Sequence, residues 1–177
     1  MKLFLDTVDI IDVIKYKEYI DGITTNPSLV AKAIGSSKDK VHQFWNQIFN
    51  MDFEGGVSVQ VLSSTTDAML EDAKYILDYV SKIVGNLEKA RSKIVIKIPL
   101  TWEGLNACKE LVSKGCRVNM TLCFSSAQAL LAAKAGATYV SPFVGRMQDQ
   151  IGNDAGFKLI SDIRTIYDHY QWPKDNP

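Results

Sequence analysis

Short runs of β-branched and aliphatic residues alternate with longer stretches of helical periodicity from the amino terminus to about residue 170. The runs Lys2–Asp6, Gly22–Thr25, Val57–Leu62, Lys93–Ile98, Arg117–Leu122 and Tyr139–Val144 predict strands. The intervening stretches predict helices over Val8–Tyr19, Ser28–Ile34 with Lys38–Asn50, Thr66–Val84, Glu103–Lys114 and Ser125–Ala135, and a last one over Phe157–Tyr170. Strands that alternate with helices pair in parallel, so the pattern predicts an α/β fold of βα units. Asn26-Pro27-Ser28 should close one strand and open a helix, with proline supplying its fixed φ and Ser28 capping free N–H groups. Gly115 and Gly136 fall where helices need a left-handed residue to end.

Six units fall short of a (β/α)8 barrel, which takes about 250 residues and rarely fewer than about 200. The ending Gln171–Pro177 reads as a loop leading into another strand. The expectation is a single barrel domain over residues 1–177 whose last two βα units lie beyond it.

Composition narrows the function classes. Twenty basic and twenty acidic residues cancel, with no long run of one sign, so nothing calls for a nucleic acid or membrane partner. The first ten residues carry acids and lack the apolar stretch of a signal peptide, and no run is long enough to span a membrane. Cys108, Cys116 and Cys123 are odd in number and form no C-x-x-C, which argues against a disulfide scaffold or zinc site and for the reducing cytosol. His42 and His169 sit on separate predicted helices as surface or half-buried positions, so catalysis here must proceed without histidine.

Chemistry concentrates at the strand ends. Asp6 ends the first strand, Thr24 and Asn26 the second; Gln60 lies in the third and Lys97 in the fourth. Asn119 and Thr121 share one face of the fifth strand, Ser141 and Phe143 one face of the sixth. The carboxyl ends of barrel strands converge on the active site, and six strands contributing in one register exceeds chance. Lys97 interrupts Ile94-Val95-Ile96-Lys97-Ile98-Pro99, a run otherwise apolar on both faces. Two readings compete: an edge strand whose lysine reaches water, or an amine held neutral by desolvation and poised to attack a carbonyl. For Asp6, the plain alternative is a carboxylate capping the next helix through Thr7 to Asp9.

Asp21-Gly22-Ile23-Thr24-Thr25-Asn26-Pro27-Ser28-Leu29-Val30 resembles the first signature of the transaldolase family, and Ile94 to Leu105 resembles the second, which contains a Schiff-base lysine. The blocks Asn119 to Ser125 and Ser141 to Arg146 resemble the same family in order and spacing, so the likeness spans nearly the whole chain. It is closest to the small-subunit branch of short transaldolases and fructose-6-phosphate aldolases.

The resemblance implies a (β/α)8 barrel of the class I aldolase type and a lysine imine at Lys97. It implies that Asp6 acts as acid and base, and that Gln60 and Thr121 hold a water that shuttles protons. Asn26, Thr24, Asn119 and Ser141 would contact substrate hydroxyls, Phe143 would line the site, and Arg146 would hold the substrate phosphate; the plain alternatives are a Thr24 that fills a barrel layer and an Arg146 that is a solvated loop residue. Gln60 matches the aldolases where many transaldolases carry glutamate, whereas Phe143 matches the transaldolases where the aldolases carry tyrosine; the two markers disagree. The implied activity is transfer of a dihydroxyacetone unit between sugar phosphates, with fructose-6-phosphate cleavage as the near alternative. A truncated, inactive barrel serving as a binding or assembly subunit is the alternative from another class. No cofactor or metal is implied, since the imine is itself the electron sink. The family's short members form pentameric rings, some stacked as decamers, through a carboxyl-terminal helix that would lie beyond Pro177. Deoxyribose-phosphate aldolase fits poorly, because the Thr-Thr-Asn-Pro block and a lysine on the fourth strand are not its arrangement.

Overall fold

The computed structural model describes residues 2–35 and 37–172. Residues 173–177, most of the ending expected to lead into a further strand, lie outside the described residues. The chain divides into two compact units, Met1–Ser63 with Ala68–Lys97 and Ser64–Asp67 with Ile98–Pro177.

In the first unit, β1 (Phe4–Asp6), β2 (Gly22–Thr24), β3 (Gly56–Gln60) and β4 (Ile94–Pro99, which runs on past Lys97) pair in parallel and in chain order. The crossovers are α1 (Ile10–Tyr16) with a short 3-10 turn, then α2 (Pro27–Ile34) and α3 (Lys38–Ile48), then α4 (Thr66–Val84) and α5 (Leu87–Lys93). The register aligns Asp6 with Thr24, Thr24 with Ser58, and Gln60 with Lys97. Asp6 and Thr24 are therefore lateral neighbours, as are Gln60 and Lys97, the second pair two residues further along the sheet. Residues Ile94 to Ile98 are all buried, the signature of a parallel strand covered on both faces. The edge-strand reading of Lys97 fails on this observation.

In the second unit, β5 (Arg117–Cys123) and β6 (Tyr139–Pro142) pair in parallel, with Thr121 opposite Ser141. Around them lie α6 (Trp102–Ser113), α7 (Ser126–Lys134), α8 (Val144–Ile151) and α9 (Ala155–His169). Gly104 is required by close approach: a Cβ there would meet the Pro99 carbonyl oxygen at 2.0 Å, so α6 can lie against the end of β4 only without a side chain. Gly115 and Gly136 end α6 and α7 with φ of 76° and 87°, as the sequence pattern predicts.

Three local expectations are corrected. The helix after β2 is capped by Asn26, not Ser28: Asn26 is extended and its Oδ1 accepts from the Leu29 N–H at 2.9 Å, while Pro27 takes the first helical position. The sixth strand stops at Pro142, and Phe143 and Val144 belong to the cap and first turn of α8, so Phe143 does not share a strand face with Ser141. Proline brings no N–H to continue the ladder, and the bulge at Leu122 (φ 61°) has by then shifted the register against β5. The helix α5 was not expected, because four of its seven residues are charged and only Ala90 is buried. The fold is α/β with the connectivity of a (β/α)8 barrel, of which the chain supplies six βα units.

Candidate active site

Lys97 sits mid-strand at 7% exposure. Burial holds its pKa below the ordinary lysine value, and the charge of Asp6 partly opposes that shift. Its Nζ donates to the Thr25 carbonyl at 3.1 Å, and among the described residues it forms no ion pair. Lys93, four residues earlier, shows what a structural lysine looks like in this fold: its Nζ lies 2.6 Å from Asp52 and donates to the carbonyls of Phe49 and Met51. Lys93 is paired with a carboxylate and anchored, whereas Lys97 has one carbonyl partner among the described residues, and the cost of desolvating its charged form favours the free amine.

Asp6 is exposed and its Oδ1 accepts from Thr24 Oγ1 at 2.8 Å. The capping alternative does not hold, because the cap of α1 is Asp9, whose Oδ1 accepts from the Ile11 N–H at 2.8 Å. Asp6 keeps lone pairs for a proton. Asn26 spends its carbonyl oxygen on the helix cap and retains its amide N–H groups as donors. Gln60 ends β3, half-buried and beside Lys97 in register.

The second unit carries its own group of polar residues. Asn119 is 3% exposed, and its Oδ1 accepts from Ser141 Oγ at 2.8 Å. Thr121 is 1% exposed, and its Oγ1 has no hydrogen-bond partner among the described residues. A buried hydroxyl without a partner costs about 1–3 kcal/mol, so Thr121 is a position where the fold tolerates an unmet hydrogen-bonding group. The Phe143 ring stands edge-on to Phe124 with centroids 5.3 Å apart. Arg146 lies exposed in the first turn of α8, beside a shallow hollow shared with Phe143 and Asp149.

A family model described as transaldolase/fructose-6-phosphate aldolase matches residues 3–175. The chain belongs to this family. A probable transaldolase of Dinoroseobacter shibae is 43% identical over 172 residues, covering 96% of this chain and 71% of that protein. Probable transaldolases of Paracoccus denitrificans and Brucella anthropi are 44% and 45% identical over 174 residues, covering 97% of this chain and 72% of each. Among solved structures, a mandelate oxidase mutant superposes with a TM-score of 0.56 at 15% identity, over 94% of this chain and 58% of that one. That likeness is one of fold alone.

In this transaldolase-family chain, the sheet of the first unit pairs Asp6 with Thr24 and, two residues further along, Gln60 with Lys97, with Asn26 at the tip of the second βα unit. The second unit brings together Asn119, Thr121 and Ser141, with Phe143 and Arg146 following on α8. Sequence reasoning missed Thr25. Its Oγ1 donates to the Ser58 carbonyl at 2.8 Å, which fixes the carbonyl that receives Lys97. A side chain that acts by aiming its own backbone carbonyl leaves little trace in a pattern of polar positions. The three cysteines are buried and form no disulfide among the described residues; burial pushes the Cys108 thiol up to about 12 and raises Cys123, so neither offers a thiolate near neutral pH. Among the described residues no group of three or more His, Cys, Asp or Glu gathers to hold a metal, and no helix is long and apolar enough to cross a membrane.

Proposed function

We propose that this family member is a transaldolase that moves a dihydroxyacetone unit between sugar phosphates, from sedoheptulose 7-phosphate to glyceraldehyde 3-phosphate, giving erythrose 4-phosphate and fructose 6-phosphate. The observation that carries the reading is the buried Lys97, without an ion pair among the described residues and with its pKa depressed, beside Gln60 and under the field of Asp6. The relatives' description as probable transaldolases supports it.

The neutral Lys97 amine attacks the ketose carbonyl carbon, and the carbonyl oxygen departs as water to leave an iminium. Asp6 then takes the proton from the hydroxyl on the far carbon of the breaking bond, which becomes the carbonyl of the leaving aldose. The C–C bond electrons flow into the iminium, an aldose phosphate leaves, and a three-carbon enamine stays on Lys97. The enamine carbon attacks the acceptor aldehyde, Asp6 returns its proton to the new hydroxyl, and water hydrolyses the imine. Gln60 and Thr121 would hold that water; neither titrates near neutral pH, so the water itself relays the proton. Asn26, Thr24, Asn119 and Ser141 would contact substrate hydroxyls. Arg146 suits a phosphate, since its guanidinium stands in the first turn of a helix, where N–H groups also face an anion.

The second reading, fructose-6-phosphate aldolase, is favoured by Gln60 alone. Both readings take the protein as a homo-oligomer and as cytosolic, the latter in keeping with buried cysteines that form no disulfide among the described residues. Borohydride with fructose 6-phosphate should leave a reduced adduct on Lys97 and on no other lysine, read by peptide mass spectrometry. Labelling elsewhere would overturn the lysine assignment, and no labelling at all would favour the inactive assembly subunit. Release of free dihydroxyacetone faster than transfer to erythrose 4-phosphate would favour the aldolase.

A further inference from the structure

Gln60 poses a positional problem. Among the described residues its amide has no hydrogen-bond partner of its own, so its aim depends on where the backbone of β3 ends. On one side that backbone is secured by the ladder, in which the Val61 N–H donates to the Lys97 carbonyl at 3.0 Å. Beyond Val61 the ladder is gone, and Leu62 is 79% exposed. The chain could relax there, because a cavity of about 440 Å³ adjoins it, lined by Gln60, Leu62, Asn26, Trp45 and Tyr75. A single side chain closes this gap. Asp72, on the second turn of α4 and on the wall of the same cavity, accepts through Oδ2 from the N–H groups of both Leu62 and Ser63, each at 2.9 Å.

We propose that Asp72 is a positioning residue for the reaction: its carboxylate clamps the tail of β3 to α4 and so keeps Gln60 aimed beside Lys97. Two bonds to one carboxylate oxygen are charge-assisted and stronger than neutral ones, and they act two and three residues after Gln60. The inference rests on the lysine-imine reading, in which Gln60 serves the steps that take up or expel water. It assigns Asp72 an effect on imine formation and hydrolysis and none on C–C cleavage or on phosphate recognition.

The test compares wild type, Asp72→Ala and Asp72→Asn with fructose 6-phosphate. It measures the rate of borohydride-trapped imine formation, and the ratio of dihydroxyacetone release to transfer onto erythrose 4-phosphate. Asp72→Ala should slow imine formation and lower the release-to-transfer ratio by roughly three- to tenfold, the scale of one ordinary hydrogen bond, because the lost contacts act on Gln60 only indirectly, with KM for the phosphorylated donor unchanged. Asp72→Asn keeps an acceptor oxygen without the charge and should fall between. In a Gln60→Ala background the same substitutions should change the ratio no further, because the two residues then act through one group. Should the alanine variant fail to fold, the asparagine variant in both backgrounds carries the decision. A lowered melting temperature with wild-type ratios, or equal losses with and without Gln60, would overturn the inference and leave Asp72 a loop anchor. Failure of wild type to form the Lys97 adduct would instead overturn the underlying reading.

Discussion

The two groups of polar residues are built on different terms. In the first unit they include two ionisable groups, Lys97 and Asp6, and the lysine is set in a strand buried on both faces. In the second unit the members within the sheet, Asn119, Thr121 and Ser141, are neutral, and no residue of β6 is fully buried. Arg146, the one charge among the candidates there, stays out on an exposed helix turn. Desolvation does work on a titratable group and little on a hydroxyl that finds a neighbour, as Ser141 finds Asn119. In the first unit burial shifts the protonation of an amine, and in the second the polar groups are neutral and need only be aimed.

The largest break in this contrast should come from Lys97→Met, which removes the nucleophile and should cut turnover by at least about 10,000-fold in a steady-state transfer assay. The same variant should be more stable than wild type at neutral pH. The folded-state pKa of Lys97 is depressed below its ordinary value of 10.5. Protonation is therefore penalised only in the folded state, fully so below the folded pKa, and the penalty fades as pH rises through the ordinary value. Stability of the wild type should rise with pH across that window, and denaturant titrations of Lys97→Met should show a flatter profile. A methionine variant less stable than wild type at every pH would mean that the amine is stabilised where it lies.

Arg146→Ala should weaken phosphorylated substrates by about 1.5–3 kcal/mol, the range for a hydrogen bond to a charged group, and spare free dihydroxyacetone. Equal losses in kcat/KM for both substrate types would remove Arg146 from phosphate recognition. Smaller again is Phe143→Tyr, where an added hydroxyl should raise dihydroxyacetone release relative to transfer by less than about tenfold, the worth of one hydrogen bond. An unchanged ratio would detach Phe143 from the handling of water.

Thr121→Val is the finest probe. Exchange of an unpartnered buried hydroxyl for a methyl group should leave stability unchanged or raise it by up to about 1 kcal/mol in urea unfolding, while slowing imine hydrolysis. A clear loss of stability would show that the hydroxyl is bonded after all.

Much of this architecture was legible from periodicity. The helix over Thr66–Val84 is found at the expected residues, because Met69, Ala73, Ile76, Leu77 and Val80 form one buried stripe. The pairings of Asp6 with Thr24 and of Gln60 with Lys97 follow from strand parity. The helix α8 was not legible, because the pattern of β6 ran on into it without an apolar stripe to mark the change, and no residue of that helix is buried.

By itself the sequence determined the order and kind of most elements, the strand ends that carry chemistry, and Lys97 as the charge out of place in an apolar run. Those features depend on neighbours within a few positions along the chain, where periods of two and 3.6 residues report which face is covered. Only the tertiary structure decided that Lys97 meets the Thr25 carbonyl, that Asp9 rather than Asp6 caps α1, and that Asp72 holds the tail of β3. Desolvation and hydrogen-bond partnership sum over atoms brought close by folding, many of them far apart in sequence. For Lys97 the partner lies 72 residues away and contributes a backbone carbonyl, a group every residue carries and no sequence pattern singles out.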